Sequence, residues 1–166
     1  MHMKRRILMM VLSVLLVASM LIAPMSATAA SKKTVQILQV TVDGARLRSG
    51  PGSAYDVKTS VSNGSKVFYL GKEKDSFYYV RTDHGAKGYI YKGFLKSYGA
   101  CYSNQVYYAT HRAKVYKKAS THSSKKTTLS KGQHVIVYQV KGNWAYIKTL
   151  GGTGGYIKKS ALKKAK

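Results

Sequence analysis

Acidic side chains are scarce in this chain: 5 Asp and Glu stand against 29 Lys and Arg in 166 residues, a formal net charge of +24. Carboxylate-pair and carboxylate-metal chemistry therefore have few residues to draw on. There is a single cysteine, Cys101, so no intrachain disulfide framework is available. There are only 2 prolines, and no segment shows a convincing helical period. What is present is apolar and aromatic. At 45% hydrophobic and 11% aromatic, with 15 glycines, the composition suits compact β structure rather than a disordered basic tail.

The first thirty residues read as a helical secretory signal peptide, outside the two repeated units in which no helical period appears. Lys4, Arg5 and Arg6 precede an apolar run over residues 7–23 that only Ser13 and Ser19 interrupt, and Ala27-Thr28-Ala29 offers small residues for cleavage. At ~1.5 Å per residue that run covers about 26 Å, short of the roughly 30 Å hydrocarbon core that an uncleaved anchor must cross. No cysteine follows the small-residue site, which argues against a lipid anchor. The expected mature chain, from Ala30 or Ser31, carries 26 basic and 5 acidic groups, a net +21. The acids are Asp43, Asp56, Glu73, Asp75 and Asp83, and residues 84–166 contain no carboxylate side chain.

The remainder is written twice. Ala45-Arg46-Leu47-Arg48 aligns with Ala113-Lys114-Val115-Tyr116, and Gly64-Ser65-Lys66-Val67 with Gly132-Gln133-His134-Val135, both at an offset of 68. After a one-residue slip, Phe77-Tyr78-Tyr79-Val80 aligns with Trp144-Ala145-Tyr146-Ile147 and Gly88-Tyr89-Ile90 with Gly155-Tyr156-Ile157, at an offset of 67. Each copy reads as short aromatic and β-branched strands separated by Asn-Gly, His-Gly and Lys-Gly-Asn turns. Units of about sixty residues bury only ~60% of their unfolded surface and need closure to remove strand edges, so a small barrel is expected for each. The domain expectation is a signal over residues 1–30, barrels over 31–98 and 107–166, and a linker over 99–106.

The motif Leu47-Arg48-Ser49-Gly50-Pro51-Gly52, with Tyr55 and Val57, Asn63-Gly64, Phe77, Val80 and Gly88-Tyr89-Ile90, resembles the bacterial SH3-like (SH3b) domain family in order and spacing. The resemblance runs over residues 42–96 and, less closely, 110–163. In the second copy Tyr116-Lys117-Lys118-Ala119-Ser120 replaces the Arg48–Gly52 turn and Ser123 stands in for Tyr55. The resemblance implies an all-β fold of two tandem five- or six-stranded, partly open barrels. Such barrels occur in secreted bacterial proteins, often appended to wall hydrolases, and bind peptidoglycan peptides or other wall polymers. The positive charge fits the same partner, since teichoic acid and related wall polymers are polyanions.

Strand alternation over residues 77–81 places Tyr78 and Val80 on one face and Phe77 and Tyr79 on the other; in the second copy Ala145 and Ile147 oppose Trp144 and Tyr146. The smaller and β-branched set marks the core. That leaves Phe77, Tyr79, Tyr89 and Tyr91, and Trp144, Tyr146 and Tyr156, for an outward aromatic platform, joined by Arg48 and Tyr55 of the turn. Arg48, Lys87, Lys148 and Lys158 flank these strands and suit a carboxylate or phosphate. The same rings can instead close a thin core.

Catalysis and metal binding find little support. Cys101 with His111, His122 or His134 as base would suit a cysteine peptidase, but it sits in the connector with no following apolar helix to lower its pKa. A free thiol or a disulfide dimer through Cys101 is the plainer expectation. The histidines lack metal-site spacing, no cofactor is expected, and surface exposure is their expected fate. Nucleic acid would suit interleaved Lys and Tyr, but export argues against it. The function expected is non-enzymatic attachment to the bacterial cell wall, outside the cell, with membrane contact only through the signal. Docking of a secreted partner or host protein, and a cationic action on membranes, are the alternatives.

Overall fold

A computed structural model describes residues 33–166; the export signal expected over residues 1–30 lies outside the described residues. The first copy contains β1 (Thr34–Val40), β2 (Ala45–Arg48), β3 (Val57–Val61), β4 (Lys66–Lys74), β5 (Phe77–Thr82), β6 (Lys87–Tyr91) and β7 (Leu95–Tyr102). The second contains β8 (Val106–Ala109), β9 (Ala113–Tyr116), β10 (Lys125–Leu129), β11 (His134–Lys141), β12 (Trp144–Thr149), β13 (Gly154–Lys158) and β14 (Leu162–Lys164). The sheets have the orders β3-β2-β6-β5-β4-β1-β7 and β10-β9-β13-β12-β11-β8-β14. One topology is thus built twice, as the duplication requires. Both sheets curl around a core without pairing their outer strands, which makes them partly open barrels. Each has seven strands where the resemblance implied five or six.

The two cores correspond position by position. Leu47, Val61, Val67, Val80 and Ile90 fill the first barrel, and Val115, Leu129, Val135, Ile147 and Ile157 fill the second. These are the inward residues that strand alternation selects, and all but Val61 are essentially inaccessible to solvent. The close crossings of β2 with β6 and of β9 with β13 explain the glycine of each Gly-Tyr-Ile motif. A Cβ on Gly88 would stand 2.5 Å from the Arg48 carbonyl oxygen, and one on Gly155 2.7 Å from that of Tyr116. No side chain fits there.

The segment expected to be a linker is not a free connector. β7 pairs with β1 along its whole length, from Leu95 opposite Val40 to Tyr102 opposite Thr34, so residues 99–102 belong to the first sheet. A single 3-10 turn, Ser103–Gln105, then leads directly into β8. The Gln105 side chain caps it by accepting from the Tyr102 backbone N–H at 3.0 Å. The physical reason is the edge of β1, whose unpaired backbone groups the outgoing chain satisfies by continuing as a strand.

The barrels also pack on each other. Ile37, Phe68 and Cys101 of the first and Val106, Ile136 and Leu150 of the second form a third buried cluster. Phe68 and Ile136 occupy equivalent positions on β4 and β11, at the repeat offset of 68, so the outer faces of the same strand in each copy meet. The His134 backbone N–H donates to the Asp83 carbonyl across the junction at 2.6 Å. Two expectations are corrected here. Cys101 is a free thiol, as one of the two expectations had it, but it is buried in this junction with its pKa pushed up by burial, so it is not placed for the alternative, a disulfide dimer. His134 is buried as well, because it opens β11 where the second barrel meets the first, whereas surface exposure was expected.

Candidate functional site

The β5–β6 and β12–β13 hairpins carry the candidate rings. Because Val80, Ala145 and Ile147 point into the cores, the alternate residues Phe77, Tyr79, Trp144 and Tyr146 point outward and remain partly or largely exposed. Cross-strand register then pairs them: Phe77 lies opposite Tyr91, Tyr79 opposite Tyr89, and Tyr146 opposite Tyr156. Their ring centroids are 5.7, 4.9 and 5.1 Å apart, the tilted and edge-on geometry that aromatic quadrupoles favour.

In the first barrel the rings divide between two places. Phe77 and Tyr91 continue into Phe94, whose ring stands edge-on to Tyr91 at 5.2 Å, and together with Arg46 and Asp43 they border a cleft of 490 Å³. Phe94 was missed in the sequence, although it ends the 3-10 turn that directly follows Tyr91. Tyr79 and Tyr89 lie apart from that cleft, with the Lys72 ammonium 5.8 Å from the Tyr79 centroid. Arg48 borders the cleft but is engaged locally, its Nη1 donating to the Tyr55 carbonyl at 2.7 Å. That bond ties off the Ser-Gly-Pro-Gly turn. The Tyr55 ring lies flat against Gly50, where a Cβ would come within 2.2 Å of its Cδ1. Arg48 and Tyr55 thus brace each other's loop.

The second barrel gathers its candidates in one place. Trp144, Tyr146 and Tyr156 line a single cleft of 620 Å³, with Lys117, Lys118 and Lys141 around them. The described residues lining it include no Asp or Glu. Tyr116 stands edge-on to Trp144 at 5.8 Å, and the Lys158 ammonium lies 4.5 Å from the indole centroid. Cation and rings are therefore pre-arranged as an amphipathic surface with positive walls. The lysines come from the turn that departs from the SH3b motif. Losing Ser-Gly-Pro-Gly brings Lys117 and Lys118 to the cleft, a role that the sequence pattern alone did not suggest. Of the other flanking cations, the Lys87 carbonyl accepts from Lys58 Nζ at 2.9 Å.

Two copies of a small half-open barrel with a glycine-dependent β2–β6 crossing and outward rings on one hairpin define a tandem SH3-like architecture. The family model described as "Bacterial SH3 domain" matches residues 43–96 and 111–163, together more than half of the chain. The chain belongs to the bacterial SH3 domain family and carries two copies of the domain. No curated protein matches it. Among solved structures it is similar to NlpC2 from Trichomonas vaginalis, at 19% identity and a TM-score of 0.35 over 79% of this chain and 48% of that one. It is also similar to NlpC1 from Trichomonas vaginalis, at 20% identity and a TM-score of 0.34 over 82% of this chain and 48% of that one. The chain thus spans about half the length of each of those structures.

Proposed function

We propose that this protein is exported and attaches without catalysis to the bacterial cell wall, gripping peptidoglycan or its anionic polymers through the Trp144 cleft. The observation that carries this reading is the composition of that cleft: three aromatic rings and three lysines, with no acid among the described lining residues. Flat rings offer rigid contact to sugar faces and extended peptides at low entropic cost, while the lysines attract phosphate or carboxylate. Membership of the bacterial SH3 domain family, whose members often bind cell walls, supports the same partner. So does the net charge of +21 expected for the mature chain, which favours long-range capture by a polyanion. The first barrel's Phe77–Tyr91–Phe94 cleft would add a second, less basic contact. Two linked sites bind one insoluble polymer with greater avidity than either alone.

Co-sedimentation with purified peptidoglycan, before and after removal of teichoic acid, tests the reading. Retention that survives stripping and falls in Trp144→Ala assigns binding to the ring-lined cleft. Retention that disappears with stripping assigns it to charge. No retention on either material, or release of soluble sugar or peptide from the wall, overturns the proposal.

A further inference from the structure

The turn after β9 departs from its counterpart in the first copy. Where the Tyr55 ring packs on Gly50 in the first turn, the second has Ser123, at the repeat offset of 68. The Ser123 Oγ accepts from the Lys118 backbone N–H at 3.0 Å, and the Ser120 Oγ from that of His122 at 3.2 Å. The Lys117 backbone N–H donates to the Ser124 carbonyl at 2.9 Å, and the Lys118 carbonyl accepts from the Ser120 N–H at 2.8 Å. These bonds hold the turn through the backbone of both lysines and leave their ammonium groups uncommitted; neither forms an ion pair among the described residues. The turn encloses a cleft of 430 Å³ walled by Lys117, Lys118, Ser120, His122, Ser123 and Ser124. It adjoins the Trp144 cleft, because Lys117 and Lys118 line both. A strip rich in hydrogen-bond donors thus runs into a ring-lined one, with no carboxylate among the described lining residues of either.

We propose that the two clefts together read a polyol phosphodiester polymer, one phosphate seated in the turn over residues 117–124 and the adjoining carbon segment against Trp144, Tyr146 and Tyr156. The inference rests on the reading of the Trp144 cleft as the wall-binding site and names the polymer that site takes. A phosphodiester is a monoanion with two strongly accepting oxygens, which ammonium groups, hydroxyls and an imidazole can share; a neutral glycan gains little from the turn. Such a polymer alternates charge with carbon segments, and the adjoining clefts alternate donors with rings in the same way. Nucleic acid has a similar backbone, but its bases need flat ring faces on which to stack. Tyr116 stands edge-on to Trp144, the Lys158 ammonium lies 4.5 Å from the indole centroid, and Tyr146 and Tyr156 are tilted by 59°. Neither ring pair offers parallel faces between which a base could slot, whereas the C–H edges of a polyol or sugar pack on tilted rings.

Calorimetric titration with a soluble poly(glycerol phosphate) oligomer at constant ionic strength tests this, beside polyglutamate of matched charge and oligothymidylate. The expected result is saturable binding of the poly(glycerol phosphate), tighter than that of either comparator, with a change in the fluorescence of Trp144, the single tryptophan. Lys117→Gln with Lys118→Gln should weaken it by roughly ten-fold or more, the range of charged hydrogen bonds lost. The turn uses only backbone groups of these two residues, so its own bonds survive the substitutions. Lys131→Gln with Lys163→Gln removes the same charge from exposed positions that line neither cleft, and should weaken binding by no more than about two-fold. Absence of saturable binding, equal losses in the two double variants, or binding of polyglutamate or oligothymidylate as tight as that of poly(glycerol phosphate) would overturn the inference. If it fails while peptidoglycan stripped of teichoic acid still retains the protein, the wall-binding reading stands without it; loss of retention on every wall material removes both.

Discussion

Lys158 places its ammonium 4.5 Å from the centroid of the Trp144 ring, and the equivalent pair in the first domain is Tyr91 edge-on to Phe77 at 5.7 Å. One duplicated position thus carries a cation in one copy and a ring in the other. The exchange leaves the second domain with a basic, indole-centred cleft and the first with an aromatic one.

The first prediction concerns that pair. Trp144→Ala should reduce wall retention by roughly ten-fold or more, as expected when a buried aromatic anchor is lost from an interface. Lys158→Gln should cost the folded domain no more than ~1 kcal/mol, the range of an exposed cation–π contact. It should also make retention less sensitive to salt, since one mobile positive charge is removed. Co-sedimentation across a salt series, alongside urea unfolding followed by Trp144 fluorescence, checks both.

The second concerns the crossing of β9 and β13 in the second barrel and its counterpart, β2 and β6, in the first. Gly155→Ala places a methyl 2.6 Å from Val115 Cγ1 and 2.7 Å from the Tyr116 carbonyl oxygen, neither of which is the free end of a long side chain. The expected loss is about 1–3 kcal/mol, as for an overpacked core. Gly88→Ala should do the same in the first barrel. Denaturant midpoints that match the unsubstituted protein would show that the strands separate more easily than their contacts indicate.

The third concerns cooperativity between the domains. Phe68 is almost wholly buried at the junction, and Phe68→Ala should cost about 3–5 kcal/mol through lost contacts and the cavity left behind. With the interface intact, the barrels should unfold in one transition. In Phe68→Ala with Ile136→Ala two transitions should separate, by calorimetry or by comparing Trp144 fluorescence with far-UV circular dichroism. A single transition in the double variant would show that β7 and the 3-10 turn couple the barrels without the apolar cluster.

The fourth concerns pH. Burial pushes the His134 imidazole pKa below its ordinary 6.5, and the charges of Arg81 and, less strongly, Lys87 act in the same direction. Tyr108 packs against the ring from β8, 5.6 Å away, and the described neighbours that shift the imidazole bring no carboxylate to it. The unfolded chain therefore takes up the proton first. Stability should be full above about pH 6.5 and decline as pH falls from there towards the folded value. His134→Gln should flatten that decline, measured as the denaturant midpoint between pH 7.5 and 5. An equal slope in the variant would assign the effect to exposed groups.

Much of the architecture was legible because two signals coincide. The repeat offset fixed the number of domains, and strand alternation in residues 77–81 and 144–148 separated core from outer face. The lysine-bearing turn of the second copy was visible as a departure from the motif, but its place beside Trp144 was not. Turn residues have no periodicity that says which strand they approach. Phe94 escaped for a similar reason, since it sits in a 3-10 turn rather than at an alternating strand position.

The amino-acid order by itself determined that one β module is made twice and which side of each hairpin is apolar. Tertiary structure alone decided what covers the second face of β4 and β11. Val67-Phe68-Tyr69-Leu70 is apolar at consecutive positions, which announces burial on both sides of the strand but not its partner. That partner is the other copy, and its approach draws Phe68, Ile136, Cys101, His134 and Arg81 into one junction. Burial depends on which surfaces meet in space, and neither local propensity nor a strand period of two carries that information.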